Sequence, residues 1–372
     1  MTTPNVIVDW YYSGGTSYYT APSGTVTSVS WNTGRQNITD QWSGSTATVY
    51  GRLPSSLTYS PQIGQRVRIQ VYTGSSSYVA AFWGYVSDYR VIYGWTSAYD
   101  TWEMTLETGY GLAGRQVSTV SSSAGALTNA FVDTIVAAMP TNSMKNAGGF
   151  STNTSAQTYT SQITAAINAA LFTDCGFMVD SVYTSAPDFW PATYLNGHQN
   201  MGLGDGGTYT DVSTDPTSSA RYQNIEFQSS AYNYGQKVVV QASGLADQSS
   251  GSGTYAQTVQ TINYTTAQAA DVAGYLQAEF NYSATVPFSL TFVGASNSDY
   301  TVIRLGNAAQ IGTAATVKFR GTTYQCIVQG LRFSANATDY QVTLYLSSSL
   351  QNAFLRLDNA VFGTLDNNRL GF

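Results

Sequence analysis

A pattern of three short, apolar-alternating strands occurs near the start of this chain and returns near its end. The first copy opens with Ile63-Gly64, passes through Val67-Arg68-Ile69 and Phe82-Trp83-Gly84-Tyr85-Val86, and closes with Trp102-Glu103-Met104-Thr105-Leu106. The second opens with Ile311-Gly312, passes through Val317-Lys318-Phe319 and Ile327-Val328-Gln329-Gly330-Leu331, and closes with Tyr340-Gln341-Val342-Thr343-Leu344. Internal repetition constrains a fold more than any single residue, because each copy must form the same supersecondary unit. The two copies read as a small barrel or sheet used twice, which is one way to build a ring. Aligning the copies by their glycines sets Gly64 and Gly84 against Gly312 and Gly330, at unequal spacings.

The chain has 372 residues, long enough for two or three domains. Only 10% of them are charged, against about 25% in typical soluble proteins. Aromatic residues reach 13%, led by 28 tyrosines, so disorder is not expected. Low charge with abundant Tyr, Ser and Thr suits permanent contact with other subunits. It equally suits a secreted or capsid-like β protein with a neutral surface. The net charge is −6 and no Lys/Arg cluster occurs, which argues against sequence-independent or sequence-specific nucleic-acid binding. Cys175 and Cys326 are the only cysteines; they make no disulfide framework, and a single bridge stays open. Met1 to Asn5 lacks a basic n-region and an apolar h-region, so no secretory signal is expected. No apolar run approaches membrane-spanning length.

The chain divides by texture. Residues 1–113 read as a first β-barrel module; Val67, Ile69 and Val71 share one strand face, and Trp102, Met104 and Leu106 another. Residues 114–220 read as an α/β middle region. One helix is expected from Ser123 to about Met139, with Leu127, Phe131 and Ile135 stacked, and a second from Tyr159 to Thr173. Gly176 ends that helix and Phe177-Met178-Val179 begins a strand. A long Gly-, Ser- and Thr-rich loop spans Ser185 to Ala220. Residues 221–299 read as a strand–helix–strand connection: Lys237 to Val240, a helix capped by Thr266 that runs to about Asn281 with Ala269, Ala273, Leu276 and Phe280 buried, and Phe288 to Phe292. Residues 300–350 form the second β-barrel module. Residues 351–372 form a C-terminal tail whose Phe354, Leu357, Phe362, Leu365, Leu370 and Phe372 are expected to dock on their own chain or a neighbour. The fold class is therefore mainly β with a smaller α/β portion, two β-barrel modules flanking a helical insert.

A search for chemistry finds no site. His198 is the sole histidine and reads as a loop residue; no Gly-x-Ser-x-Gly elbow accompanies it. Asp205 and Asp211 are near enough in sequence to share a calcium ion, but the spacing is not that of an EF-hand. Asp9, Asp88, Glu103, Glu107 and Asp180 form no glycosidase-like motif, and Glu103 and Glu107 share one strand face where solvation is the default. Gly202 and Gly204 do not open a dinucleotide fingerprint. Trp31, Trp42, Trp83 and Trp95 could stack on sugar rings, although most tryptophans in a β protein are core. No catalytic residue, metal or cofactor is expected.

The order of elements is more specific than any one of them. Gly34-Arg35, Gly44-Ser45-Thr46-Ala47-Thr48-Val49, Tyr59-Ser60-Pro61, Ile63 to Ile69 and Phe82 to Val86 follow one another as in the opening domain of the tail hub proteins of tailed bacteriophages, which this stretch resembles. The helix ending Ala138-Met139-Pro140, the Ile163 to Phe172 helix leading into Gly176 to Asp180, the Thr266 to Phe280 helix with Pro287, and Ile311-Gly312 with the closing Phe354-Leu355-Arg356-Leu357 extend the resemblance over nearly the whole chain. The Ser185–Ala220 loop departs from it. The resemblance implies a structural, non-enzymatic homotrimer at the distal end of a virion tail, with two tube-like barrels per subunit. Six barrels would match the six-fold tail tube or distal tail ring above, and the trimer would meet spike or fibre proteins below. The tape measure protein is a further implied partner, and the hub would close the DNA channel. Two other readings stay open: a carbohydrate-binding or glycan-degrading β protein, and the related six-fold distal tail ring protein.

Overall fold

The first module is a run of strands made one-sided by alternation: β1 (Val6–Tyr11), β2 (Tyr18–Thr20), β3 (Val26–Gly34), β4 (Thr46–Arg52), β5 (Arg66–Tyr72), β6 (Tyr78–Ile92) and β7 (Thr101–Glu107). These come from a computed structural model that describes residues 6–11, 17–53, 59–72, 78–140, 143–183, 191–196, 207–211, 221–228, 237–281, 286–294, 311–312, 314–336 and 340–348. Every pairing within the module is antiparallel, in the order β3-β4-β7-β6-β5-β1-β2. Val67, Ile69 and Val71 are buried from β5, and Trp102, Met104 and Leu106 from β7, as their alternation requires.

The short helix α1 (Gly109–Ala113) leads into the insert, which holds β8 (Thr119–Ser122), α2 (Thr128–Ala138), β9 (Met144–Asn146), β10 (Gln157–Thr160), α3 (Ile163–Thr173), β11 (Phe177–Tyr183) and β12 (Pro191–Asn196). Both helices start later than their apolar period suggests. Ser123 lies in a turn rather than at a cap, and Leu127 holds extended backbone and bridges Asn153. Gln157 to Thr160 pairs antiparallel with β8 instead of opening α3. Nine of the eleven α3 residues are buried, so this helix runs between clusters rather than over a surface.

The chain then forms β13 (Gly207–Asp211), β14 (Arg221–Tyr222) and β15 (Asn224–Glu226), a three-stranded unit of β16 (Lys237–Ala242), β17 (Gln248–Gly251) and β18 (Ala256–Thr261), and the helix α4 (Thr266–Asn281). The expected Ser185–Ala220 loop thus contains β12 and β13, which pair with β11 and β20 (Ala314–Phe319) respectively. The cap of α4 is Thr265, one residue before the expected Thr266. Its hydroxyl accepts the Gln268 N–H at 3.2 Å while its own N–H donates to Gln268 Oε1 at 3.1 Å, a reciprocal capping box. Ala269, Ala273 and Leu276 are buried as expected; the side chain of Phe280 lies outside the description.

The second module is completed by β19 (Ser289–Gly294), β20, β21 (Thr322–Ala335) and β22 (Tyr340–Ser348). Its order, β15-β19-β22-β21-β20, repeats β3-β4-β7-β6-β5 strand for strand, again antiparallel. Its sheet therefore reaches back to Asn224, with β16–β18 and α4 inserted between β15 and β19. The correspondence holds to the residue. Gly64 (φ +80°) and Gly312 (φ +82°) precede β5 and β20, and their N–H groups donate to Val86 O and Val328 O, each at 2.8 Å. The β6–β7 ladder slips between Val86 and Asp88, and the β21–β22 ladder between Val328 and Gly330. Tyr85-Val86 thus corresponds to Ile327-Val328, and Gly330 corresponds to Asp88. The glycine alignment, which set Gly84 against Gly330, is displaced by four residues. The cause is the hairpin after β20, a tight Arg320-Gly321 turn with both φ positive, which is shorter than the one after β5.

Candidate assembly interface

The two modules join edge to edge. β21 pairs with β20 through Thr322 to Ile327, and Gly330 to Ala335 then pair antiparallel with β3, from Gly330 opposite Gly34 to Ala335 opposite Val29. One continuous sheet results, and the inward faces of both modules feed a single hydrophobic cluster. Phe333 and Trp31, opposite each other across the seam, stack at 3.9 Å between ring centroids.

Glycine makes the approach close enough. A Cβ on Gly34 would lie 2.4 Å from Gln329 O, and one on Gly330 would lie 2.5 Å from Arg35 O. Gly34 also holds φ +80°, which turns the chain so that Arg35 runs beneath β21. The Arg35 N–H donates to Gln329 O at 3.1 Å, and its Nε donates to Gln329 Oε1 at 3.0 Å. Gln329 is fully buried and passes the contact on, donating from Nε2 to Ser347 Oγ at 2.8 Å. The Arg35 guanidinium lies 4.5 Å from the Trp42 ring and 5.7 Å from the rings of Phe172 and Phe177. A buried cation is costly unless hydrogen-bonded and electrostatically compensated; the aromatic faces supply part of that compensation. Arg35 thereby ties β3, β21 and the insert together.

Other insert contacts fix the same corner. Asp180, buried on β11, accepts the Ser45 N–H at 2.9 Å and the Thr108 hydroxyl. Asn168 of α3 accepts the Trp42 N–H at 2.8 Å and donates to Tyr110 Oη at 2.7 Å. Burial pushes the Tyr110 phenol up to about 12, against the lowering effect of the Asn168 hydrogen bond. A polar recess of about 480 Å³ lies over the seam, with Asn32, Arg35, Asp40, Thr46, Arg332 and Tyr345 among its walls.

The sequence candidates for chemistry scatter. Asp9 is buried and paired with Arg68 at 2.6 Å, with further bonds from Thr20 and Gln70. Glu103 pairs with Arg90 and Glu107 with Arg115, so these strand-face acids are ion-paired rather than simply solvated. Trp31, Trp42 and Trp83 are core residues. Trp95 is 85% exposed and stacks on Tyr99 at 5.6 Å in the β6–β7 hairpin. Cys175 and Cys326 sit in different clusters and form no disulfide with each other. Among the described residues no three His, Cys, Asp or Glu side chains converge, and no helix is long and apolar enough to cross a membrane. His198, Asp205, and the six tail residues Phe354, Leu357, Phe362, Leu365, Leu370 and Phe372 lie outside the described residues. The Arg35–Gln329 pair was not singled out from sequence. Its signal was a glutamine inside the apolar run Cys326 to Leu331, since a buried amide needs a partner.

No protein-family model and no curated protein sequence matches this chain. Solved structures do. A tail protein from Neisseria meningitidis MC58 aligns over 93% of this chain and 96% of its own, with a TM-score of 0.59 and 12% identity. The 43 kDa tail protein of prophage MuSo2 from Shewanella oneidensis aligns over 92% and 97%, with a TM-score of 0.55 and 12% identity. The E. coli c3393 protein, a type VI secretion component described as structurally similar to the T4 tail proteins gp27 and gp5, aligns over 95% and 80%, with a TM-score of 0.52 and 10% identity. At such identity the likeness speaks for architecture, and over almost its full length the chain has the fold of these phage tail proteins.

Proposed function

We propose that this chain is a structural subunit of a phage-type tail, acting as a homotrimeric hub at its distal tip. The observation that carries the reading is the pair of equivalent modules, residues 26–107 and 224–348, joined edge to edge in one chain. Three copies would present six similar modules to a six-fold tail tube or distal tail ring, and three inserts to three-fold spike or fibre proteins on the other side. The tape measure protein would end against this assembly, which would close the DNA channel. On this reading the apolar C-terminal tail docks on its own or a neighbouring chain. The fold likeness to tail proteins and the low charge of the chain support the same role.

Light scattering at micromolar concentration, with averaged electron images, tests it. The expected result is a mass of three chains and a three-fold ring with six similar lobes. A clean monomer removes the hub reading, and six chains with true six-fold symmetry would select the distal-ring reading instead.

A further inference from the structure

The seam between the modules is used once per chain, although the chain holds the parts for it twice. β6 is the counterpart of β21, and β15 is the counterpart of β3. Carrying the β3–β21 register across sets Arg90–Tyr93 against Ile225–Gln228. These edges do not meet within the chain. Among the described residues, β6 beyond Val86 pairs with β7 alone, and β15 pairs with β19 alone.

We propose that a second copy of this chain fills the open seam: Arg90–Tyr93 of one copy pairs antiparallel with Ile225–Gln228 of the next, with Tyr93 opposite Ile225 and Ile92 opposite Glu226. The closure of this contact into a ring of three rests on the hub reading above.

The side chains are already arranged for it. In the occupied seam, Trp31 lies 6.1 Å from Phe82 and stacks on Phe333, and both Trp31 and Phe333 are buried. Its counterpart Phe227 lies 5.6 Å from Tyr324, the counterpart of Phe82, yet is 38% exposed. The neighbour it lacks is the counterpart of Phe333, which is Val91, half-buried on the open edge of β6. Ile92 and Tyr93, next along that edge, are 51% and 76% exposed. An edge strand that ends in exposed apolar residues invites another strand. The one charge in its Arg90–Tyr93 stretch, Arg90, is held by Glu103. The copied ladder stops at Arg90, because Asp88 stands where the occupied seam needs Gly330. The two edges differ, so the contact is head-to-tail and can close into a ring.

The test uses the full chain carrying Ile92→Cys and Glu226→Cys together. Opposed residues of an antiparallel pair have Cα atoms about 4.5–5.5 Å apart, within disulfide reach, and the native cysteines are buried. Mild oxidation should give reductant-sensitive species of two and three chains on a non-reducing gel. Either single variant should stay at monomer mobility, and the off-register pair Arg90→Cys with Asn224→Cys should crosslink at least about tenfold less. Wild-type chain that is trimeric in solution, with no in-register crosslink, overturns the seam and leaves the hub reading standing. Monomeric wild-type chain with no crosslink overturns both. Efficient dimers from a single variant indicate a two-fold contact and overturn the head-to-tail arrangement. Phe227→Arg gives an independent reading that does not depend on crosslinking. It should dissociate the oligomer at concentrations where wild type is assembled while the dilute chain stays folded with a somewhat lower melting temperature, because Phe227 also packs on Phe319 and Tyr324; full retention of the oligomer counts against the seam.

Discussion

Gly34 and Gly330 face each other where the modules meet, and they are glycine for different reasons. Gly330 needs only space, because a Cβ there runs into the Arg35 backbone. Gly34 needs both space and a left-handed φ. Gly64 offers a control: it shares φ +80°, with nothing within 4 Å of its absent Cβ. Forcing an L-residue into that conformation costs about 1–2 kcal/mol, and overpacking a tight backbone contact adds about 1–3 kcal/mol. Gly64→Ala should therefore lose only the first amount in urea unfolding, while Gly34→Ala loses both, roughly 2–5 kcal/mol. Equal losses at the two positions would show that the seam gives way without strain and that its glycines are not required. Arg35 depends on the same fit. Its guanidinium reaches Gln329 and three aromatic rings only because the turn at Gly34 carries it under β21.

β21 and β6 are long strands with a division of labour along their length. The first half of each pairs with the preceding strand, a bulge follows, and the second half offers its edge to another module. In β21 that edge is filled and Phe333 is fully buried; in β6 the equivalent Val91 is only half-buried. Phe333→Ala should therefore cost the isolated chain about 3–5 kcal/mol, the usual loss for a core phenylalanine. Val91→Ala should cost the chain roughly 1 kcal/mol or less and act mainly on assembly, shifting the sedimentation midpoint to higher concentration. If Val91→Ala destabilises the dilute chain as much as Phe333→Ala does, the β6 edge is already filled within the chain and is not an open copy of the β21 edge. Much of the element inventory was legible in the sequence: clean alternation marked β5 and β7, Lys237 to Val240 marked β16, and the apolar stripe with its Asn281 end marked α4. The seam was not. Alternation assigns faces, whereas strand edges carry backbone hydrogen bonds that leave no side-chain pattern. The repeat was visible, but hairpins of different length displaced its alignment, and only the shared bulge restores the register. Phe227 and Val91 gave no signal either, because their meaning lies in what their counterparts touch.

At the scale of the whole molecule, the chain reads as half of a contact pattern repeated around an axis: one seam is closed within the chain, and among the described residues the two edges of its copy pair with nothing further. What would hold neighbouring chains together on this reading is a backbone ladder with Val91, Ile92 and Phe227 packed across it, not charge. In the paired stretches Arg90 is held by Glu103 of its own chain, and only 10% of the chain's residues are charged. Screening acts on exposed charges across about a Debye length, roughly 10 Å at 0.1 M salt and 3 Å at 1 M. Apolar burial is instead strengthened by kosmotropic salts and weakened by urea. The oligomer should therefore hold its mass from 50 mM to 1 M sodium chloride, with less than about a twofold change in dissociation constant. Sulfate should tighten it, and urea below the unfolding transition should dissociate it. Sedimentation across these conditions separates the alternatives: a dissociation constant that climbs steeply with sodium chloride would place the contact on a charged face, away from the paired stretches of β6 and β15, whose only charges are Arg90, held by Glu103 of the same chain, and Glu226, hydrogen-bonded by Ser289.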